Sequence, residues 1–535
     1  MTSGAVSFHS MFRDATEFNG DISTWQFSNK YETTLDDNHL IELSSMFLNA
    51  ENFNQNINTK LRTDGQLAWD TKNVVSMDYI FRNAYLFNTS ISKWNTSKVK
   101  KGYGMFRGHH GIMSYNQPLN TSIVTVGSNT YTAWDVSQYD SFAYMFDNCE
   151  DFNQPLSNWD TSGSLGLGYM FYKAKKFNQS LDTQQVTVGS NTYTAWDVSN
   201  VTTTVSMFRL AYRFNQTLSN WVTSSLTDTS YMFSKAISFN QPLNHFIMQN
   251  NTTLKWMFRG AVSFNQPLSN WNVGSVTDGE RTFEYAASFN QDLSNWGNGD
   301  GVQYMTTTSR MFANMQSMTY GDFTTWNLSN VTSIGMMFGC DGLQVTTHMG
   351  FGSGGFIEQV LGPHSFSKGS SVSYNGTDII CSPIAPIVSN WYLPNCTSIE
   401  GTFRNQLPTW DQDFSGWNIP LVSNMEKTFY KSYGFVGNGL SNWDVSKVTD
   451  FGSCFHSNSI SNEDLSTGDV SNCENFGYMF SDCSSFIGNG LENWKPISAI
   501  YMYGMLEDCL LFTANLSQWT TTQSLKQVQR MLNRT

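Results

Sequence analysis

Met-Phe pairs recur along this chain on a fixed step. Met207, Met232, Met257 and Thr282 each precede a Phe, and successive members lie 25 residues apart. Further pairs begin at Met11, Met46, Met105, Met145, Met170, Met311, Met337 and Met479. Ile80, Thr402 and Thr428 stand before Phe in the same slot. A period of this length marks a repeat architecture, in which each unit buries its apolar face against its neighbours. The 535 residues therefore need not divide into several independent globular domains.

Tryptophan is a sharper ruler. Trp94, Trp134, Trp159, Trp196, Trp221 and Trp271 each lie 11 residues before the next Met-Phe slot, as do Trp69, Trp326, Trp391, Trp417, Trp443 and Trp494. Of the 17 tryptophans, 15 occupy the slot that closes the segment, 12 of them at this distance and Trp25, Trp296 and Trp519 farther from the next pair; Trp256 and Trp410 stand outside it. The block from W-D-V-S-x-V-T to Met-Phe is nearly constant in length, whereas the segment from Met-Phe to Trp varies. Its common form, M-F-x-x-A-x-x-F-N-Q-x-L-S-N-W, runs from Met257 to Trp271. Trp, the two following Val, Met, Phe, Ala and the second Phe are the expected core of each repeat. The W-x-V alternation and the Thr-rich surroundings predict short strands, and F-N-Q-x-L predicts a turn. The expected fold class is a mainly β repeat solenoid of stacked short parallel strands and turns.

Two polar positions recur with the core. Asn153, Asn178, Asn215, Asn240, Asn265 and Asn290 occupy the Asn of F-N-Q, where a side-chain amide can serve turn backbone groups in its own repeat and the next. With Trp159, Trp196, Trp221 and Trp271 they form the expected structural ladder. The Asp of W-D-V-S, at Asp135, Asp160, Asp197 and Asp444, repeats too, which suits a turn residue and not a single catalytic carboxylate.

The repeats are interrupted in places. The string VTVGSNTYTAWDVS occurs twice, at 124–137 and 186–199, and reads as hairpins near 121–133 and 183–195 with a Gly-Ser-Asn turn. Repeat duplication accounts for the pair; the sharper reading is a contact ridge, with the two hairpins about 10 Å apart and Tyr131 and Tyr193 as candidate contact residues. A Gly-rich insert covers 339–390, so the organisation is an N-terminal repeat region over 1–338, the insert, and a C-terminal repeat region over 391–535. In the latter, FVGNGL (435–440) and FIGNGL (486–491) replace F-N-Q-x-L. The terminal SLKQVQRMLNRT has helical spacing and is the expected cap.

The residues suited to chemistry do not converge. Cys149, Cys483 and Cys509 occupy the Ala slot as small core filler, with Cys483 and Cys509 on adjacent repeats. Cys381 and Cys396 flank the end of the insert, where a disulfide would close a loop. No C-x-x-C is present, and His109-His110, the only His cluster, lacks an evident third ligand. No nucleophile elbow, zinc-protease or dinucleotide motif occurs in a suitable setting. The expectation is a chain with no catalytic residues, no cofactor and no metal. The net charge of −13 excludes general nucleic-acid binding and polybasic docking on anionic lipid. No apolar run predicts membrane insertion, and no signal peptide is legible in MTSGAVSFHSMF. Sequons such as Asn88, Asn95, Asn120, Asn200, Asn330 and Asn375 permit glycosylation.

The repeated M-F-x-x-A-x-x-F-N-Q-x-L-S-N-W-D-V-S resembles the BspA-like surface-protein repeat family, related to leucine-rich repeats, over nearly the whole chain except its inserts. The resemblance implies a right-handed, leucine-rich-repeat-like solenoid with a role in attachment or surface display, and no catalytic residues. The expected function is a non-enzymatic, surface-displayed protein for adhesion, extracellular or on a cell surface, whose partner is a protein or glycan ligand on another surface. The alternative is a structural component of a virion or other large extracellular assembly, whose partners are neighbouring subunits.

Overall fold

The computed structural model describes residues 7–27, 40–299, 301–318, 321–340, 386–389, 391–460, 463–521 and 525–535. Nearly all of the Gly-rich insert and Cys381 lie outside them. The chain divides into two compact units, Met1–Asn251 and Thr252–Thr535.

Regular structure is sparse. The described residues hold no α-helix and eight short strands. In the first unit β1 (Ile41–Glu42) pairs in parallel with β4 (Val74–Ser76). The remaining strands form three antiparallel pairs: β2 (Lys60–Leu61) with β3 (Leu67–Ala68), β5 (Ser122–Val126) with β6 (Asn129–Ala133), and β7 (Gln184–Val188) with β8 (Asn191–Ala195). In the second unit the regular elements are single turns of 3-10 helix at Ser294–Gly297, Val302–Tyr304, Leu440–Asn442 and Leu491–Asn493. The expectation of a mainly β, right-handed solenoid of stacked parallel strands is overturned: the described residues are mostly turn and irregular backbone, and apart from β1–β4 parallel pairing between repeats shrinks to single residues such as Thr203 with Asp228 and Asn424 with Asp450.

The reason lies in the Met-Phe segment. Thr204, Ser206, Phe208 and Leu210 send their N–H groups to the carbonyls of Asp228, Ser230, Met232 and Ser234 in the next repeat, at 2.9–3.0 Å. The intervening residues turn inward: Met207, Arg209 and Ala211 bond to the carbonyls three positions back, Thr204, Ser206 and Phe208. A strand cannot do this, because its dihedrals stay extended. Here Ser206 (φ 54°) and Leu210 (φ 63°) are left-handed. The same two positions, before Met and three after it, are left-handed at Tyr169 and Lys173, and at Arg281 and Tyr285. Such a φ is uncommon for residues other than Gly. The inter-repeat hydrogen bonds offset its cost of about 1–3 kcal/mol per residue.

The core is aromatic and periodic. Phe208 lies 3.8 Å from Phe214 within its repeat and 5.6 Å from Phe233 in the next, both stacked. In the second unit Phe258 repeats this with Phe264 at 4.1 Å and Phe283 at 5.5 Å. Ala174, Ala211, Ala236, Ala261 and Ala286 are buried beside them. Cys149, Cys483 and Cys509 take this slot as free, buried thiols, and each Sγ donates to a Phe carbonyl of the preceding repeat, Phe106, Phe455 and Phe480. Cys396 is also a free thiol, so it does not close the insert with Cys381, whereas Cys340 is disulfide-bonded. Trp410, outside the tryptophan slot, fills the place of the second Phe and stacks on Phe403 at 5.0 Å. The helical spacing near the C-terminus yields turns over 525–535, with Met502, Gly504 and Leu506 bonded to Gln527, Gln529 and Met531 as in any other repeat.

Candidate binding face

The recurrent Asn residues lie at the turn after the second Phe. Asn153 Oδ1 accepts the backbone N–H of Asn178 at 2.9 Å and the Gln179 side-chain amide at 3.0 Å. Asn178 does the same for Asn215 and Gln216, Asn215 for Asn240 and Gln241, and Asn265 for Asn290 and Gln291. The carboxamide oxygens are therefore engaged by backbone and Gln, repeat to repeat. The indoles are equally committed: Nε1 of Trp159, Trp196 and Trp221 donates to the carbonyls of Leu119, Leu156 and Leu181 at 2.8–2.9 Å. Trp271 is buried and stacks on Trp296 at 6.2 Å. The Asp residues of W-D-V-S close side-chain turns, as Asp160 Oδ1 accepts the Ser162 N–H and hydroxyl at 3.1 and 2.6 Å.

Tyr131 and Tyr193 lie on the last strands of their hairpins, half-buried. The Tyr131 hydroxyl donates to the Lys93 carbonyl at 2.5 Å, and that of Tyr193 to the Asn158 carbonyl. Both hold the hairpin against the repeat before it. A third hairpin, β2–β3, went unread in the sequence: it ends in Ala68-Trp69-Asp70 as the other two end in Ala-Trp-Asp, but its loop is longer and carries Asp64-Gly65 in place of Gly-Ser. The three hairpins alternate with plain repeats, because Trp69, Trp134 and Trp196 follow a hairpin while Trp94 and Trp159 do not. They also touch: a Cβ on Gly127 would meet Leu61 at 3.0 Å, and one on Gly189 would meet Ile123 at 2.9 Å. At φ 62–63° both positions favour glycine.

A second surface feature comes from the residues around Met-Phe. Tyr79, Tyr144, Tyr169 and Tyr231 stand immediately before the Met slot, half-buried and left-handed. Tyr79 and Tyr144 flank Tyr103, each with ring centroids 5.2 Å from it. Tyr144 stacks on Tyr169 at 4.5 Å, and Tyr169 meets Tyr172 edge-on at 5.7 Å. Cations cover the strip: Arg82 sits 5.2 Å from the Tyr79 ring, Arg107 4.1 Å from Tyr144, and Arg209 lies between Tyr172 and Tyr231 at 5.5 and 4.9 Å. Arg107 also pairs with Asp147 at 2.9 Å. Burial raises the Asp147 carboxyl to about 6 against the opposing pull of Arg107 and Lys173.

The second unit carries a related cluster. Trp256 occupies the place before Met and lies under Arg259 at 4.4 Å and Arg281 at 4.9 Å. Glu284, only 1% exposed at its side chain, binds Arg259 at 2.5 Å, Arg310 at 3.3 Å and Arg281 at 3.6 Å. The sequence signal for this slot, an aromatic or Arg just before Met-Phe, was present but overshadowed by Met-Phe itself. His109 and His110 are exposed, with rings 4.2 Å apart. Among the described residues no cluster of three or more His, Cys, Asp or Glu is arranged to hold a metal ion, and no helix is long and apolar enough to cross a membrane.

A family model described as "Mycoplasma protein of unknown function, DUF285" matches the chain at residues 1–59, 32–132, 128–193, 184–296, 245–344, 382–439 and 434–535. The successive matches identify it as a repeat protein. Neither the curated proteins nor the solved structures yield a match.

Proposed function

Because the chain belongs to the DUF285 family, we propose that it is a non-enzymatic binding protein of the BspA-like surface kind, displayed outside a cell, which adheres to a protein or glycan ligand. The observation that carries this reading is the tyrosine–arginine strip from Tyr79 to Tyr231 in the first unit. Tyr, Trp and Arg dominate the energetics of binding surfaces, since they offer large, stiff contact area together with a polar handle. Ring faces suit the apolar faces of sugars and side chains, and the guanidinium groups of Arg82, Arg107 and Arg209 suit acceptors beside them. The residues that repeat most faithfully, Asn and Trp, are consumed by backbone partners, which leaves ligand contact to the variable positions.

The test is a screen of the intact chain on glycan and protein panels, followed by titration of any hit with Tyr144→Ala and Tyr169→Ala. The reading expects a ligand whose affinity falls at least about tenfold in each variant. No binding above background, or hits indifferent to both substitutions, would overturn it.

A further inference from the structure

The cations of the tyrosine–arginine strip outnumber its carboxylates. Five successive repeats build its central part, with Ile80, Met105, Met145, Met170 and Met207 in their Met slots. Four of them place a cation two or three residues after that slot, Arg82, Arg107, Lys173 and Arg209, and the fifth places Asp147 there. Arg107 spends its Nε on Asp147 at 2.9 Å, which leaves its Nη groups. Arg82, Lys173 and Arg209 lie against the rings of Tyr79, Tyr172 and Tyr231, and form no ion pair among the described residues. The Nε atoms of Arg82 and Arg209 are buried without a hydrogen-bond partner. Asp78, at the rim, accepts the Tyr103 N–H at 2.8 Å. By contrast, Lys175 and Lys176 bind Glu150 and Asp151 at 2.7 and 2.6 Å, and in the second unit Arg259, Arg281 and Arg310 share Glu284. The whole chain carries −13, so the strip opposes the molecule's net charge in sign.

Spacing and surface chemistry narrow the ligand. The step between these repeats is 5.7–5.8 Å, measured between the stacked rings of Phe81, Phe106, Phe146, Phe171 and Phe208. A ligand that meets all four cations carries negative charge on a step of that order. Acidic side chains on one face of an extended peptide recur about 6.7 Å apart and lose register by about 1 Å per repeat. A linear polysaccharide with one carboxylate on each sugar spaces its charges by one sugar ring, which suits the shorter step. Guanidinium groups present parallel N–H donors that match the two oxygens of a carboxylate. Among the described residues of the strip no aliphatic side chain is strongly exposed, whereas a protein partner calls for an apolar centre to its interface.

We propose that the strip binds a linear acidic polysaccharide of the uronic-acid class, laid along the repeats with its carboxylates on Arg82, Arg107, Lys173 and Arg209. This names the ligand class for the adhesive reading and rests on it.

The experiment is titration of the full chain onto immobilised polygalacturonate, dextran sulfate, neutral dextran and polyglutamate, at low and at near-physiological ionic strength. Wild type is expected to bind polygalacturonate saturably, more weakly as salt rises, and to ignore neutral dextran. The folded variant Arg82→Gln/Lys173→Gln/Arg209→Gln is expected to bind at least about tenfold more weakly. Lys447→Gln/Lys495→Gln/Lys526→Gln removes the same charge from exposed positions of the second unit and is expected to stay within about twofold of wild type. Should the first variant fail to fold, its three single substitutions carry the test, each expected to weaken binding about threefold or more. No binding of polygalacturonate by wild type, or equal losses in the two triple variants, overturns the proposal. Dextran sulfate or polyglutamate bound as tightly as polygalacturonate overturns the uronate assignment. An uncharged panel ligand that depends on Tyr144, with no polygalacturonate binding, overturns this inference and leaves the adhesive reading standing; no ligand of any kind ends both.

Discussion

The side-chain oxygen of Asn153 accepts the backbone N–H of Asn178 at 2.9 Å, across the boundary between two repeats. The same oxygen takes the Gln179 amide at 3.0 Å, so one carboxamide anchors the next turn at two points. Asn153, Asn178 and Asn215 are each at once an acceptor for the repeat after and, through their own N–H, a donor to the repeat before.

Replacing Asn178 by Ala therefore strands the Asn215 N–H and the Gln216 amide, which it accepts at 2.9 and 3.0 Å. A loss of about 1–3 kcal/mol is expected, since half-buried donors left without partners cost more than a bond is worth. Asn178→Asp keeps the acceptor and should lose less. Urea unfolding of both variants checks the order; equal losses would remove the acceptor role.

Tyr131→Phe deletes only the hydroxyl that bonds Lys93. The expected cost is about 1 kcal/mol, concentrated in the hairpin. Amide hydrogen exchange should show faster exchange over 122–133 with the rest of the first unit unchanged. Uniform protection across the hairpin would mean that side-chain packing alone holds it.

Asp147 gives a pH signature. Burial raises its folded carboxyl to about 6, above the ordinary 3.8, even with Arg107 beside it. The folded chain then binds a proton that the unfolded chain releases between these values. The charged carboxyl accordingly costs stability above about 6, and the cost is relieved as pH falls toward 4, by on the order of 2–3 kcal/mol. Asp147→Asn should lack this component. Denaturant midpoints of the two proteins from pH 7 to 4 measure it, with wild type gaining relative to the variant on acidification; parallel profiles would contradict the burial argument.

The repeat, its period and its core positions were readable from Trp and Met-Phe spacing because burial forces the same apolar residues to recur. The backbone was not. W-x-V and Thr-rich stretches have strand-like alternation, yet Ser206, Leu210, Tyr231 and Arg281 adopt left-handed dihedrals that their residue types do not advertise. Only inter-repeat hydrogen bonding makes those conformations worth adopting, and a single sequence does not display it. Glycine told more where it was unavoidable: Gly439 and Gly490 in the G-N-G turns are left-handed at φ 86° and 88°, and a Cβ on either would meet backbone nitrogen at 2.2 Å. The tyrosine strip escaped reading because its members belong to different repeats and become neighbours only through the pairing of those repeats.

The strip itself predicts a separation of binding from folding. Tyr144 touches Tyr169 at 4.5 Å and Arg107 at 4.1 Å, but is half-buried. Tyr144→Ala should cost about 1–2 kcal/mol of stability from lost ring contacts, leaving the chain folded.

The most direct measurement of the central claim is the equilibrium affinity of folded wild type and folded Tyr144→Ala for a ligand recovered from the glycan and protein panels. The account predicts a saturable wild-type interaction that weakens at least about tenfold in the variant, with the far-ultraviolet spectrum unchanged. Equal affinities for the two proteins would contradict it.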